Sequence, residues 1–247
     1  DPDADAQMGF ITRTDISRLG GEVRLSRRPG VLGIRRMSID FFGDYIESVS
    51  LGDRTDWYVG PFARVEWESG ESVSGYVQQG QARVDEAFDL ADHLPVPIGD
   101  YEANWRSVSF NTSPSRPIAA NVYADWQDAY GGRLRDFSVN LVASGGRHVA
   151  TSLGYTRSQA DLPSGSFDAH VLGVRLGYAF TTRLAAGAYV QWNSLDEQVV
   201  GNFRVIYRHH PGSDLIIALN EERGVPGSLW AVSQRHLAVK VNYLARF

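Results

Sequence analysis

The chain has 247 residues, of which 43% are hydrophobic, 21% charged and 11% aromatic, with a formal net charge of -5. This composition excludes a disordered chain, which carries fewer apolar groups and more net charge, and the acidic balance excludes a general nucleic-acid binder. Mean hydropathy is -0.25 and no apolar run approaches the ~18 to 20 residues of a membrane helix. A β-barrel stays open as a membrane-spanning class, because alternating strands average to a hydrophilic profile.

Cysteine is absent, which removes thiolate metal sites, disulfides and cysteine nucleophiles. Lys240 is the one lysine among 24 Lys and Arg residues. The opening Asp1-Pro2-Asp3 has no basic-apolar-small pattern of a signal segment and reads as a mature or truncated N-terminus.

Hydrophobicity repeats with period two along nearly the whole chain, as strands require because successive side chains point to opposite faces. The pattern predicts fourteen strands over 8–17, 20–28, 31–43, 57–69, 71–85, 100–113, 117–129, 133–144, 148–159, 166–180, 183–195, 199–210, 213–222 and 236–247. Within 117–129, Ile118, Ala120, Val122, Ala124 and Trp126 alternate with Asn121, Tyr123, Asp125 and Gln127. Phe137, Val139 and Leu141 alternate with Asp136, Ser138 and Asn140. Leu172, Val174, Leu176, Tyr178 and Phe180 alternate with Gly173, Arg175, Gly177 and Ala179. Leu237, Val239, Val241, Tyr243 and Phe247 oppose Lys240, Asn242 and Arg246.

These segments run ~10 to 14 residues, against about 5 or 6 for strands of globular domains and about 9 to 11 for tilted membrane strands. Short connections carry turn chemistry at Arg28-Pro29-Gly30, Ser69-Gly70, Gly145-Gly146-Arg147, Thr181-Thr182 and Pro211-Gly212. Longer ones, at 44–56, 86–99, 160–165 and 223–235, fall between them. Short periplasmic turns and long external loops are the arrangement of outer-membrane barrels. Aromatics near strand ends, among them Trp57, Tyr58, Trp105, Trp126, Tyr155, Tyr178, Trp192, Tyr207 and Tyr243, fit girdles at the two membrane interfaces.

The face opposite the apolar one collects Glu22, Arg24, Arg64, Glu66, Glu68, Arg106, Asp125, Asp136, Arg175, Arg204, Arg208, Lys240 and Arg246. Unpaired charges in a dry interior cost several kcal/mol or more, so these groups are wet or paired. A wet lumen implies a passive pore, and a tightly paired one a closed structural barrel. Arg64, Glu66, Arg106, Asp125, Arg175, Arg204 and Lys240 are the expected lumen-lining set.

Catalytic signatures are missing: there is no Gly-x-Ser-x-Gly elbow, Walker loop or His-Glu-x-x-His. Asp85, Glu86, Asp89, Asp92 and Asp100 form an acidic stretch without EF-hand spacing, which reads as a solvated loop. No metal or cofactor is expected. One weak catalytic set exists. Ser166, Asp168 and His170 share the apolar-side parity near one strand end, and antiparallel pairing across Thr181-Thr182 brings His170 towards Ser194 and Asp196. A Ser, His and acid at the outer leaflet would suit a lipid- or glycan-cleaving barrel enzyme.

Several stretches carry a resemblance. They are Gly9-Phe10-Ile11-Thr12-Arg13-Thr14-Asp15-Ile16, Pro97-Ile98-Gly99-Asp100-Tyr101, Ser113-Pro114-Ser115-Arg116-Pro117 and Ala160-Asp161-Leu162-Pro163-Ser164-Gly165-Ser166-Phe167. Tyr207-Arg208-His209-His210-Pro211-Gly212-Ser213-Asp214-Leu215 and Val239-Lys240-Val241-Asn242-Tyr243-Leu244 complete them. Together they resemble the C-terminal barrel region of a family of uncharacterised bacterial outer-membrane proteins. Full-length members of that family carry an N-terminal domain like a family-nine carbohydrate-binding module. The resemblance implies fold and location, with no transferable catalytic motif.

The expectation is therefore one all-β domain over 1–247, a transmembrane antiparallel up-and-down β-barrel of about 14 strands in a bacterial outer membrane. Its function is a passive pore or the membrane anchor of an envelope assembly; the alternative is a barrel-embedded hydrolase. Expected partners are outer-membrane lipid and lipopolysaccharide, and an envelope protein, with no nucleic acid.

Overall fold

The computed structural model describes residues 15–50, 52–90, 94–225 and 228–244. Most of the predicted strand 8–17 and the terminal Arg246 and Phe247 lie outside the described residues. Sixteen strands and no helix are found among the described residues. They are β1 (Ile16–Arg27), β2 (Ile34–Ser48), β3 (Arg54–Trp67), β4 (Ser72–Val84), β5 (Phe88–Leu90), β6 (Leu94–Val96), β7 (Gly99–Glu102) and β8 (Asn104–Asn111). Then come β9 (Ile118–Ala129), β10 (Gly132–Gly145), β11 (Val149–Leu162), β12 (Gly165–Ala179), β13 (Leu184–Asn193), β14 (Gln198–His210), β15 (Ser213–Val225) and β16 (Ser228–Asn242).

Fourteen of them form one sheet in the order β1-β2-β3-β4-β8-β9-β10-β11-β12-β13-β14-β15-β16, with β7 paired to β4 beside this path. Each long strand thus lies next to its sequence neighbour, an up-and-down meander of antiparallel pairs. Every predicted strand from 20–28 onward has a counterpart. The one at 100–113 is interrupted at Ala103 into β7 and β8, and β5 and β6 make a separate two-stranded ribbon inside the 86–99 connection.

Two expectations about this architecture are corrected. The sheet is open: its path ends at β1 and at β16, so the described residues do not form a closed barrel. Three of the four expected long loops are strand. β2 runs to Ser48 and β3 starts at Arg54, β11 runs to Leu162 and β12 starts at Gly165, and β15 runs to Val225 before β16 starts at Ser228. These stretches read as the longer connections between strands, yet the backbone ladder continues into them, as where Arg223 lies opposite Val232 and Arg235 opposite Glu221.

Turn chemistry fixes the hairpins. At the β9–β10 turn, Tyr130 and Gly131 have φ of 55° and 75°, the left-handed pair that a two-residue hairpin of matching twist demands.

The chain divides into two compact units. The first takes the residues up to Phe110 together with 123–136 and 159–167, and the second takes 111–122, 137–158 and 168 onward. The first unit holds the only buried apolar side chains of the described residues, Val84, Leu94, Val96, Ala160 and Leu162. Val84, Val96 and Leu162 pack with Leu90, Tyr101, Tyr130 and Leu134, a small cluster that ties the β5–β6 ribbon to the sheet. In the second unit no apolar side chain of the described residues is fully buried. Leu172, Val174, Leu176, Phe203, Val205, Ile217, Val239 and Val241 all stand exposed on one face. The first unit exposes Leu19, Val23, Leu25, Met37, Phe41, Val59 and Val73 in the same manner.

Close strand packing gives a stability test. A Cβ at Gly60 would meet the Val77 carbonyl oxygen at 1.9 Å, whereas one at Gly154 would meet nothing within 4 Å. Gly60→Ala is expected to cost ~1 to 3 kcal/mol by overpacking and Gly154→Ala to change stability by less than about 0.5 kcal/mol, read by denaturant unfolding of the purified protein. Equal effects would contradict the β3–β4 packing.

Candidate functional site: the polar face and its ion pairs

Register places one set of charged groups of the first unit on a common face. Gly20, Glu22 and Arg24 of β1 lie opposite Asp44, Phe42 and Asp40 of β2, and Asp44, Ser38 and Arg36 lie opposite Tyr58, Arg64 and Glu66 of β3. The pairs follow from that lattice. Arg24 Nε donates to Asp40 Oδ1 at 2.7 Å, and a second Arg24 nitrogen reaches Glu22 at 2.8 Å. Arg18 Nε donates to Asp44 Oδ1 at 2.5 Å while the Tyr58 hydroxyl donates to Asp44 Oδ2 at 2.6 Å. Arg64 meets Glu66 at 3.1 Å, and Arg36 approaches the same carboxylate at 4.0 Å. Most of these guanidinium groups are wet: Arg24 is 62% exposed although its partner Asp40 is 5% exposed.

Asp125 is, with Asp40, a buried carboxylate of this face. Its Oδ2 accepts from Trp105 Nε1 at 3.1 Å and from Gln127 Nε2 at 2.9 Å. Trp105 is in turn packed edge-to-face on Tyr76, with ring centroids 5.5 Å apart. Trp105 and Tyr58, grouped by sequence with the interfacial aromatics, therefore stand among the polar groups. Arg106 does not join them. Ser74, opposite Arg64, bonds to Ser109, so the odd positions of β8 share the polar face and Arg106 falls on the other side, with the exposed Val108 and Phe110.

In the second unit Arg175 lies opposite Tyr189, and its guanidinium carbon sits 4.8 Å from that ring's centroid. Arg204 lies opposite Gly187 and Ala218, and Ala218 lies opposite Ala238. Lys240 has the same parity on β16, opposite Ile216. Arg208 pairs with Asp214 at 3.0 Å near the β14–β15 turn.

The weak catalytic set is brought together in backbone but not in side-chain chemistry. The Ser194 amide donates to the His170 carbonyl at 2.9 Å, and the Ser194 hydroxyl accepts from the His170 amide at 2.7 Å. The imidazole points elsewhere: Nδ1 is 2.9 Å from the Tyr155 hydroxyl and Nε2 is 3.4 Å from Asp168, which Arg157 grips with two nitrogens at 2.9 and 2.6 Å. Asp196 accepts from Asn193 at 2.5 Å. Ser194 and His170 do not form a nucleophile–base pair, whose side chains must lie within hydrogen-bond reach. No group of three or more His, Asp or Glu that could hold a metal ion occurs among the described residues. Asp100 of the acidic stretch is held by Arg83 at 2.8 Å.

Sequence reasoning missed Asp40 and Asp44, the anchors of the β1–β2 ion pairs. Their signal was present, since Asp40, Phe42 and Asp44 continue one parity; Asp40 lies inside the predicted strand 31–43 and Asp44 just beyond it. It also missed a clamp at the start of β1. Asp15, at φ 59°, accepts at its carboxylate from the hydroxyls of Ser48 and Ser50 and from the Ser50 amide.

The sequence matches no protein-family model, and no curated protein matches it.

Two predictions follow from these contacts. A double-mutant cycle on Arg24 and Asp40 is expected to give a coupling of only ~0 to 1 kcal/mol, because the guanidinium is solvated; a coupling several times larger would mean a dry pair. The hydrogen bonds from Ser50, and from Ser48, hold the Asp15 carboxyl below its ordinary value of 3.8. A depressed carboxyl contributes stability above its unfolded pKa and loses it as pH falls through the folded one. Exchange protection of the Ser50 amide is therefore expected to persist from neutral pH to about 3.8, to fall below it, and to be weak at all pH in Asp15→Ala. Protection that is insensitive to acid would contradict the clamp.

Proposed function

We propose that the chain forms wall of a bacterial outer-membrane β-barrel, its apolar face against lipid and its polar face on a water-filled passage. The observation that carries this reading is the exposed apolar face that each unit presents, with almost no core among the described residues. Exposed apolar patches beyond a few hundred Å² mark surfaces that something else covers, and alternation of apolar and polar residues along long tilted strands is the pattern of membrane barrels.

Strand length supports it. β12 has 15 residues, more than the about 9 to 11 that a tilted membrane strand needs. The excess rises out of the apolar band at the end where Arg157–Asp168 and Arg235–Glu221 pairs replace apolar side chains. Tyr178 and Tyr207 mark the other border, where interfacial aromatics are expected. Topology adds a condition. The path from β1 to β16 contains thirteen strands of alternating direction, so β1 and β16 run the same way. Antiparallel closure therefore takes an odd number of further strands between them. Both edge strands are exposed on both faces, which suits strands that await neighbours.

Wet ion pairs favour a passage over a dry, plugged scaffold, since dry unpaired or half-paired charge is costly. Partners on this reading are outer-membrane lipid and lipopolysaccharide, with a protein of the envelope as the partner of a non-conducting anchor. The hydrolase reading finds no support in the orientation of Ser194 and His170.

Substitution tests the faces. Leu176→Arg is expected to cost ~2 to 4 kcal/mol in bilayers, as for a charge near the midplane, and Gly177→Arg much less. Purified protein in planar bilayers should conduct; closed bilayers with correctly inserted protein would replace the passage by the anchor.

A further inference from the structure

The arginines of the polar face differ in one respect. In the second unit the ion pairs take Arg157, Arg208, Arg223 and Arg235. Among the described residues no carboxylate pairs with Arg175 or Arg204. The lattice sets these two at diagonal corners of one patch. Arg175 faces Tyr189, which faces Asn202, and in the next row Gly177 faces Gly187, which faces Arg204. The two glycines leave the middle open. A Cβ at Gly177 would meet only the Ala150 carbonyl at 3.5 Å, and one at Gly187 only the Leu176 carbonyl at 3.7 Å. The result is a cleft of about 500 Å³ lined by both arginines with Thr151, Ser152, Tyr189 and Asn202. That volume suits a small-molecule site, for which ~300 to 1,000 Å³ is usual.

Charge in the cleft is of one sign. Its lining contains no acidic residue, and along the same rows β15 and β16 contribute Ala218, Asn220, Ala238 and His236. The polar-face carboxylates of β15 lie further along it: Glu222 is opposite Val200, and Asp214 is held by Arg208. Arg175 lies against the Tyr189 ring at 4.8 Å, and Tyr189 is itself fixed by its hydroxyl bond to Gln191 at 2.6 Å. A guanidinium stacked on a ring keeps its plane and presents its N–H edge as a fork. Forks of this kind match the oxygens of phosphate and carboxylate two at a time.

We propose that this cleft is an oxyanion site, in which Arg175 and Arg204 together hold a phosphate or carboxylate group. The occupant is free inorganic phosphate or the phosphoryl or carboxyl group of a larger solute. The site rests on the polar face being open to water, as in the reading above, and within a passage it makes anions the preferred traffic.

The test is calorimetric titration of inorganic phosphate into the detergent-purified full chain at low ionic strength. Wild type is expected to bind one phosphate saturably in the millimolar range or tighter. Arg204→Gln and Arg175→Gln should each weaken binding roughly tenfold, the loss of one charge-assisted fork. Arg183→Gln, in the β12–β13 turn, should leave it unchanged. Arg175→Gln also loses the ring contact, so Arg204→Gln, which does not, keeps the test decisive if the former fails to fold. Acetate that competes with phosphate would assign the shared chemistry, and phosphate alone would narrow the site to phosphoryl groups. Absence of saturable binding in wild type, or binding that both variants retain, overturns the site. Binding without conductance removes the passage and leaves the site; conductance without binding does the reverse.

Discussion

The structure depends on one constraint: a long antiparallel sheet with no second layer. Soluble β-proteins bury one sheet face against another layer, so that apolar side chains share a core. Here the described residues bury five apolar side chains, all in the first unit. Most of the remaining large apolar side chains stand exposed on one face of the sheet, held in place by backbone hydrogen bonds that pair each long strand with its neighbours. A ladder of that kind satisfies the backbone completely except at its two edges. It therefore tolerates an apolar surrounding on one face better than any other open architecture.

The opposite face follows from the same constraint. With no layer to bury it, its charges remain partly hydrated and need only loose pairing. Arg24, Arg64 and Arg208 keep about half or more of their side-chain surface while touching carboxylates. Electrostatics on this face sets local potential more than it sets stability. The two units differ in that respect. The first is rich in carboxylates, among them Asp40, Asp44, Glu66 and Asp125. The middle of the second carries Arg175, Arg204 and Lys240. On the proposed reading, solutes near the second unit's polar face meet positive charge.

Strand existence and facing were legible in the sequence, because period two survives in single residues: Leu172, Val174 and Leu176 were assigned to one side and Arg175 to the other, and the register agrees. Strand ends were not legible. Residues 223–235 read as a loop, and only cross-strand pairings such as Arg223 opposite Val232 and Arg235 opposite Glu221 show that they continue a ladder. Arg106 was assigned to the polar face, but the Trp105 indole N–H that donates to Asp125 and the Ser109 hydroxyl bonded to Ser74 give that face to the odd positions of β8. Closure is not a property of any residue. It depends on strand count, and the first candidate strand lies outside the described residues.

The central claim, that the two faces of this sheet meet different solvents, is tested most directly by spin-label accessibility. The chain has no cysteine, so single cysteines introduced from position 172 to 178 of β12 can be labelled one at a time in protein reconstituted into liposomes. The account predicts an alternation. Labels at 172, 174, 176 and 178 should collide with oxygen dissolved in lipid, and labels at 173, 175 and 177 with a water-soluble nickel complex. Labels that are all water-accessible, with no period of two, would contradict it.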